Sequence, residues 1–159
     1  MGKAVGFGGP DPRVGSVVVR LRDLFTRRRS TRTGAVRVEY SPTPNGRADP
    51  GEVVWAWVPY EDDPAQGKDR PVLVIGRAGR TLVAVPLSSQ DHDDRRDASE
   101  WVEIGTGAWD RQRRPSEADA GRLLRYGVRD VRREGGVLPR ERFDAVIARA
   151  RQLHPDQLP

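Results

Sequence analysis

Two apolar runs, residues 71–77 and 81–87, are joined only by the segment Gly76-Arg77-Ala78-Gly79-Arg80. Both are rich in Val, Ile and Leu, and so short a glycine-containing connection favours an antiparallel hairpin. Further strand-like runs at residues 52–58, 101–104 and 127–131, separated by turn chemistry, extend this pattern to a compact, mostly antiparallel β-barrel. The last segment breaks the alternation. Phe143, Val146, Ile147, Ala150 and Leu153 fall on one helical face, with Pro139 as a first-turn residue, so a terminal helix is expected to close the barrel. His154 follows it as a charge partner for the helix dipole. The fold class is thus α+β, mostly β.

The chain ahead of these runs differs in composition. Residues 1–13 are rich in Gly and Pro and are expected to be disordered. Residues 14–29 space Val14, Val17, Val18, Leu21, Leu24 and Phe25 as a short amphipathic helix would, although three valines suit a strand as well. Ser41-Pro42-Thr43-Pro44-Asn45-Gly46 is a turn-rich linker. A boundary near residue 48 therefore divides an arginine-rich N-terminal extension, 1–48, from a barrel domain, 49–155. The formal charge of +5 follows the same division: residues 1–50 hold ten Lys or Arg against four Asp or Glu, and the rest eighteen against nineteen. The domain can be basic only in patches, so overall charge does not establish a nucleic-acid partner.

Other classes recede on simple grounds. There is no Cys, and only His92 and His154 offer imidazole, so neither a disulfide framework nor a metal site is expected. No apolar run approaches the ~18 residues of a membrane span, and no signal-peptide core follows Met1-Gly2-Lys3. A cytoplasmic protein without cofactors is the expectation. A Gly-rich phosphate loop, a nucleophile elbow and a His-rich metal motif are all lacking.

Three blocks in order carry a resemblance: Gly51-Glu52-Val53-Val54-Trp55, Gln66-Gly67-Lys68-Asp69-Arg70-Pro71-Val72-Leu73-Val74-Ile75, and Val85-Pro86-Leu87-Ser88-Ser89-Gln90. Leu123-Leu124-Arg125-Tyr126-Gly127-Val128-Arg129-Asp130-Val131 and Gly136-Val137-Leu138-Pro139 continue it. Over about residues 50–153 the chain resembles the MazF/PemK (Kid) toxins of toxin-antitoxin systems. That resemblance implies an SH3-like barrel of the CcdB/PemK type, usually a homodimer, silenced by a cognate antitoxin. It also implies metal-independent cleavage of single-stranded RNA by attack of a ribose 2'-hydroxyl on the adjacent phosphorus.

Such a reaction needs a base for the 2' proton, an acid for the leaving 5'-oxygen, and donors for the charge gathering on phosphorus. Arg70 matches the family's catalytic Arg before Pro, and its permanently charged fork suits that charge. On the residues alone, a solvated pairing with Asp69 is the competing role. Ser88 falls where the family has a phosphate-contacting Thr or Ser; Ser89 beside it is equally suited to capping the strand end. Ala65 stands where many members have Glu, and Arg125-Tyr126-Gly127 where the PemK type has an acid, so the base is unassigned. His92 is a candidate by its pKa range, against a plain surface role in an acidic loop.

RNA contacts are expected from Lys68, Arg111, Arg113, Arg129 and Trp109. Trp109 is either an exposed stacking ring or an indole folded back on its own loop. Trp55 and Trp57 share a strand face that one barrel interior could absorb. Two alternatives stand beside the ribonuclease: a barrel of the same fold that binds RNA or a protein without cutting, and a CcdB-like gyrase poison, which the Gly-Lys-Asp-Arg-Pro block disfavours.

Overall fold

Alternation along one strand ribbon produces two cores. The computed structural model describes residues 35–90, 96–132 and 135–159. Its central ribbon consists of β2 (Val53–Pro59), β3 (Gly67–Ala78) and β4 (Thr81–Ser88), preceded by β1 (Arg37–Val38). Successive side chains point to opposite faces. Val54, Ala56, Val58, Val72, Val74, Leu82 and Ala84 therefore gather on one side and are fully buried there. Val53, Leu73, Ile75, Val83, Val85 and Leu87 gather on the other. A strand covered on both faces must be apolar at consecutive positions, which accounts for the unbroken run Val72-Leu73-Val74-Ile75.

The first core is the interior of a small open barrel. β7 (Leu124–Tyr126) pairs with β4, and β8 (Val131–Arg132) with β2, giving the order β8-β2-β3-β4-β7. Leu124, Tyr126 and Val131 pack across the interior. All pairings among the described residues are antiparallel, as expected. No ladder joins β7 to β8 among them, so side-chain packing closes the barrel.

The second core lies between the ribbon's outer face, the pair β5 (Trp101–Gly105) and β6 (Ser116–Asp119), and helix α1 (Arg140–Leu153). Phe143, Val146, Ile147 and Ala150 are its helical contribution. Pro139 caps this helix in an extended conformation, φ −54° and ψ 141°, one residue before the first turn expected of it. At the other end the His154 ring Nε2 lies 3.0 Å from the Ala120 carbonyl, tying the helix to the turn after β6. Among the described residues no helix is long and apolar enough to cross a membrane.

One strand expectation needs correction and one strand needs adding. Residues 127–130 form a turn rather than a strand: the Asp130 N–H donates to the Gly127 carbonyl at 3.0 Å and the Gly127 N–H to Asp130 Oδ2 at 3.0 Å. The sheet uses the residues flanking that turn instead. β1 was not expected, yet Val38 pairs with Gly76, Val36 is buried in the helix-side core, and the Tyr40 hydroxyl donates to the Leu138 carbonyl at 2.8 Å. Those residues precede the boundary expected near residue 48 and still join the sheet. The amphipathic segment 14–29 lies outside the described residues.

Candidate active site

The site opens where the β3–β4 ladder stops. Its last partnered residues are Val72 and Pro86, and neither Pro86 nor Pro71 has an N–H to give. Beyond them Leu87 and Ser88 pair with β6, while residues 67–71 stay with β2. The parting strands leave a cleft of about 880 Å³ lined by Arg70, Ser88, Ser89, Lys68 and Arg111 among others. With Trp109, also in the lining, six residues singled out from the sequence share one cavity.

A β-bulge decides which serine faces the arginine. Near the turn, Arg77 pairs with Leu82 and Gly76 with Val83. Past the irregularity at Ile75, Val74 pairs with Ala84 and Val72 with Pro86. Beyond that pair the strands part, but alternation from Val72 and Pro86 keeps Arg70 and Ser88 on the same face. Without the extra residue Ser89 would take that face and Ser88 the other.

Arg70 is half-buried, and its Nε is a buried donor with no hydrogen-bond partner among the described residues. Leaving such a donor unpaired costs about 1–3 kcal/mol, so this edge is primed for an acceptor. The pairing with Asp69 considered from the sequence does not form. Neighbours in a strand point to opposite faces, and Asp69 instead meets Arg132 Nη2 at 2.6 Å. Ser88 is only 8 % exposed, and its Oγ accepts from the Gln90 N–H at 3.1 Å. Its hydroxyl thus caps the strand end as an acceptor and keeps its own hydrogen to donate.

The cleft holds two carboxylates among the described residues, and each is engaged by an arginine. Asp69 has Arg132, as above. Asp110 accepts from Arg114 Nε at 2.8 Å and from the Gln112 N–H at 2.9 Å, and these bonds hold its carboxyl below the ordinary range. Tyr126 is unsuited to proton transfer near neutrality. Burial pushes its phenol up to about 12, and its hydroxyl donates to the Trp57 carbonyl at 2.9 Å. His92 lies outside the described residues.

Of the two roles left open for Trp109, the ring folded back on its own loop is the one observed. Its ring is 4 % exposed, folded against Gly107, where a β-carbon would collide with it, and its indole N–H donates to Ser116 Oγ at 3.1 Å. An apolar ring with one donor is better satisfied there than in water. Trp55 and Trp57 depart from expectation. They share a face, but it is the outer one, beyond the end of the helix-side core; Trp55 is half-buried along the cleft and Trp57 is 53 % exposed. Arg113 and Arg129 are exposed and do not line the cleft. Arg132 and Arg114 do, and sequence reasoning missed both. The available signal for Arg132 was alternation: with Val131 facing inward, the next residue must face out.

The chain is thus a small antiparallel barrel flanked by a helix, with an arginine and a serine hydroxyl in a cleft lined by more cationic than anionic side chains. The family model of the PemK-like, MazF-like toxins of type II toxin-antitoxin systems matches residues 49–154, and the chain belongs to that family. Among solved structures, MazF from Deinococcus radiodurans superposes with a TM-score of 0.51 at 17 % identity, covering 69 % of this chain and 97 % of that one. At that identity the likeness speaks for the fold alone. An endoribonuclease in complex with its cognate antitoxin, from a mycobacterial species, gives 0.49 at 16 % identity over 69 % and 97 %. The Mycobacterium tuberculosis toxin MazF-mt6 gives 0.48 at 17 % over 65 % and 96 %. No curated protein matches the sequence significantly.

Proposed function

We propose that the chain is an endoribonuclease toxin that cleaves single-stranded RNA without a metal or other cofactor. The observation that carries this is the buried Nε of Arg70, without a partner among the described residues, in the same cleft as Ser88. A scissile phosphate seated between them would satisfy that donor and take a second hydrogen bond from the Ser88 hydroxyl.

The ribose 2'-oxygen attacks phosphorus as its proton passes to a base, and the bond to the 5'-oxygen breaks as that oxygen is protonated. The products are a 2',3'-cyclic phosphate and a 5'-hydroxyl. Arg70 and Ser88 stabilise the charge on the equatorial oxygens, which is largest at the transition state, and so lower the barrier rather than merely tightening binding. Lys68 and Arg111, exposed along the cleft, hold neighbouring phosphates. Ser89 and His92 remain candidates from the sequence, His92 for the proton transfers. A cognate antitoxin, a homodimeric state and a cytoplasmic location complete this proposal.

A second role has its own support: a barrel that binds RNA or a protein partner without cutting. Ala65 replaces the family's acid, and both described carboxylates of the cleft are tied to arginines. Incubation of a long single-stranded RNA with the protein and with Arg70→Ala and Ser88→Ala versions, in EDTA, separates the two. Cleavage lost in the Arg70 variant supports the ribonuclease; RNA bound but intact supports the binding module.

A further inference from the structure

Trp55, Asp69 and Arg132 line the cleft beside Arg70, and Trp57 adjoins them just outside it. Trp57 is cross-strand from Asp69, and Trp55 is cross-strand from both Pro71 and Arg132, so these side chains share the outer face of the sheet. Trp57 is one of only four large exposed hydrophobic residues among those described. A β-carbon at Gly67 would collide with the Val58 carbonyl oxygen and sit 2.9 Å from Trp57 Cε2, so the bare glycine lets both the backbone and the indole approach the strand. Asp69 and Arg132 adjoin it as an ion pair of 2.6 Å, each side chain about half exposed, at 50 % and 53 %.

An exposed ion pair of this kind contributes little to stability. It does hold a guanidinium and a carboxylate side by side, with donors and an acceptor oxygen left over, at the edge of a flat aromatic surface. We propose that Trp57, Asp69 and Arg132 form a nucleobase station that selects guanine in the RNA strand beside the scissile phosphate. This rests on the ribonuclease reading for the RNA, and the cleft's basic lining with Lys68, Arg111 and Arg114 favours such a strand.

Every base offers a face for Trp57 to stack on, so stacking supplies affinity without selection. Selection comes from the pair. The arginine fork donates to two adjacent acceptors, O6 and N7 of guanine, and a carboxylate accepts from two adjacent donors, N1–H and N2–H of guanine. Adenine sets its N6 amino group against the arginine's donors. Guanine is the base that suits either half of the pair with two bonds.

The test separates recognition from cleavage. Indole fluorescence would follow binding of 2'-O-methyl adenosine oligonucleotides with and without one central guanosine; these lack the attacking hydroxyl and stay intact. The guanosine should bind about tenfold more tightly, and Arg132→Ala and Asp69→Asn should erase that preference. Trp57→Ala should weaken both oligonucleotides about tenfold, with Trp57→Phe restoring most of the loss. In parallel, cut sites in a random RNA pool would be sequenced. A guanine-selective binder that leaves RNA whole would keep the station and refute the ribonuclease. Cutting without a guanine requirement that depends on Asp69 and Arg132 would refute the station alone. Dissociation of an assembly by Trp57→Ala, with RNA binding unchanged, would make this face an interface between copies and would also overturn the proposal.

Discussion

The two ends of the β3–β4 hairpin are made from the same strands under opposite rules. At the closed end, from Val72 to Pro86 through the turn, β3 is laddered to β4, and the residues from Val72 to Ile75 and from Leu82 to Val85 are buried on both faces. At the open end the ladder has stopped at two prolines, the neighbours are Lys68, Asp69, Arg70, Ser88 and Ser89, and a charged donor has no acceptor among the described residues. The contrast teaches where the fold can afford function. A well-packed hairpin supplies rigidity, and the reactive groups are carried one or two residues past its end, where the missing ladder makes room for a substrate.

If that division is real, substitutions at the two ends should fail in different ways. Arg70→Ala should lower RNA cleavage by about 10²–10³-fold, as removal of one preorganised donor does, with a melting temperature near that of the parent because no partner is orphaned. Leu73→Ala, three residues along the same strand and fully buried, should do the reverse: a loss of about 2–5 kcal/mol of stability, with any protein that remains folded still active. A Leu73 variant that is stable but inactive would break the comparison.

The bulge at Ile75 sharpens it. Ser88→Ala should reduce cleavage at least about tenfold, whereas Ser89→Ala should change it less than about twofold. The opposite order would mean that the strands run on in the unshifted register. Next in size is Trp109→Phe, which removes the bond to Ser116 from a buried ring. It should cost about 1 kcal/mol in denaturant melts and loosen the 107–114 loop along the cleft.

The smallest effect concerns a charge in the closed, helix-side part of the molecule. Burial, helped by Glu61 and Glu100, raises the Asp119 carboxyl to about 6, although the Gly121 N–H and Arg122 pull it back. Between about pH 4 and pH 6 the unfolded chain ionises this group before the folded one does. Its contribution to stability therefore falls as pH rises through that window and is a constant penalty above it. Asp119→Asn keeps an acceptor for Gly121 and should gain about 1 kcal/mol at pH 7.5, a gain that vanishes near pH 4. A charge is a liability there; at the open end it is the working part.

Legibility followed the same division. β2 to β5 were readable as short apolar runs bounded by turn residues, and the helix because its apolar positions repeat with period 3.6. β6, Ser116-Glu117-Ala118-Asp119, has no such signature, since two of its buried residues are polar and satisfied only in place. β7 and β8 are three and two residues long, and the turn between them contains Val128, whose β-branched side chain suggested a strand. In the cleft, Arg70 and Ser88 could be named from their motifs, but choosing Ser88 over Ser89 required the bulge. Alternation turned Arg132 outward, but its place in the site comes from pairing with Trp55 and from an ion pair spanning 63 residues, which no local pattern encodes.

The most direct test of the central claim is the chemistry of the ends left when the purified chain meets a long single-stranded RNA in EDTA. The account predicts discrete fragments with 2',3'-cyclic phosphate and 5'-hydroxyl ends, absent with Arg70→Ala. Intact RNA, or fragments that form equally well without Arg70, would contradict it.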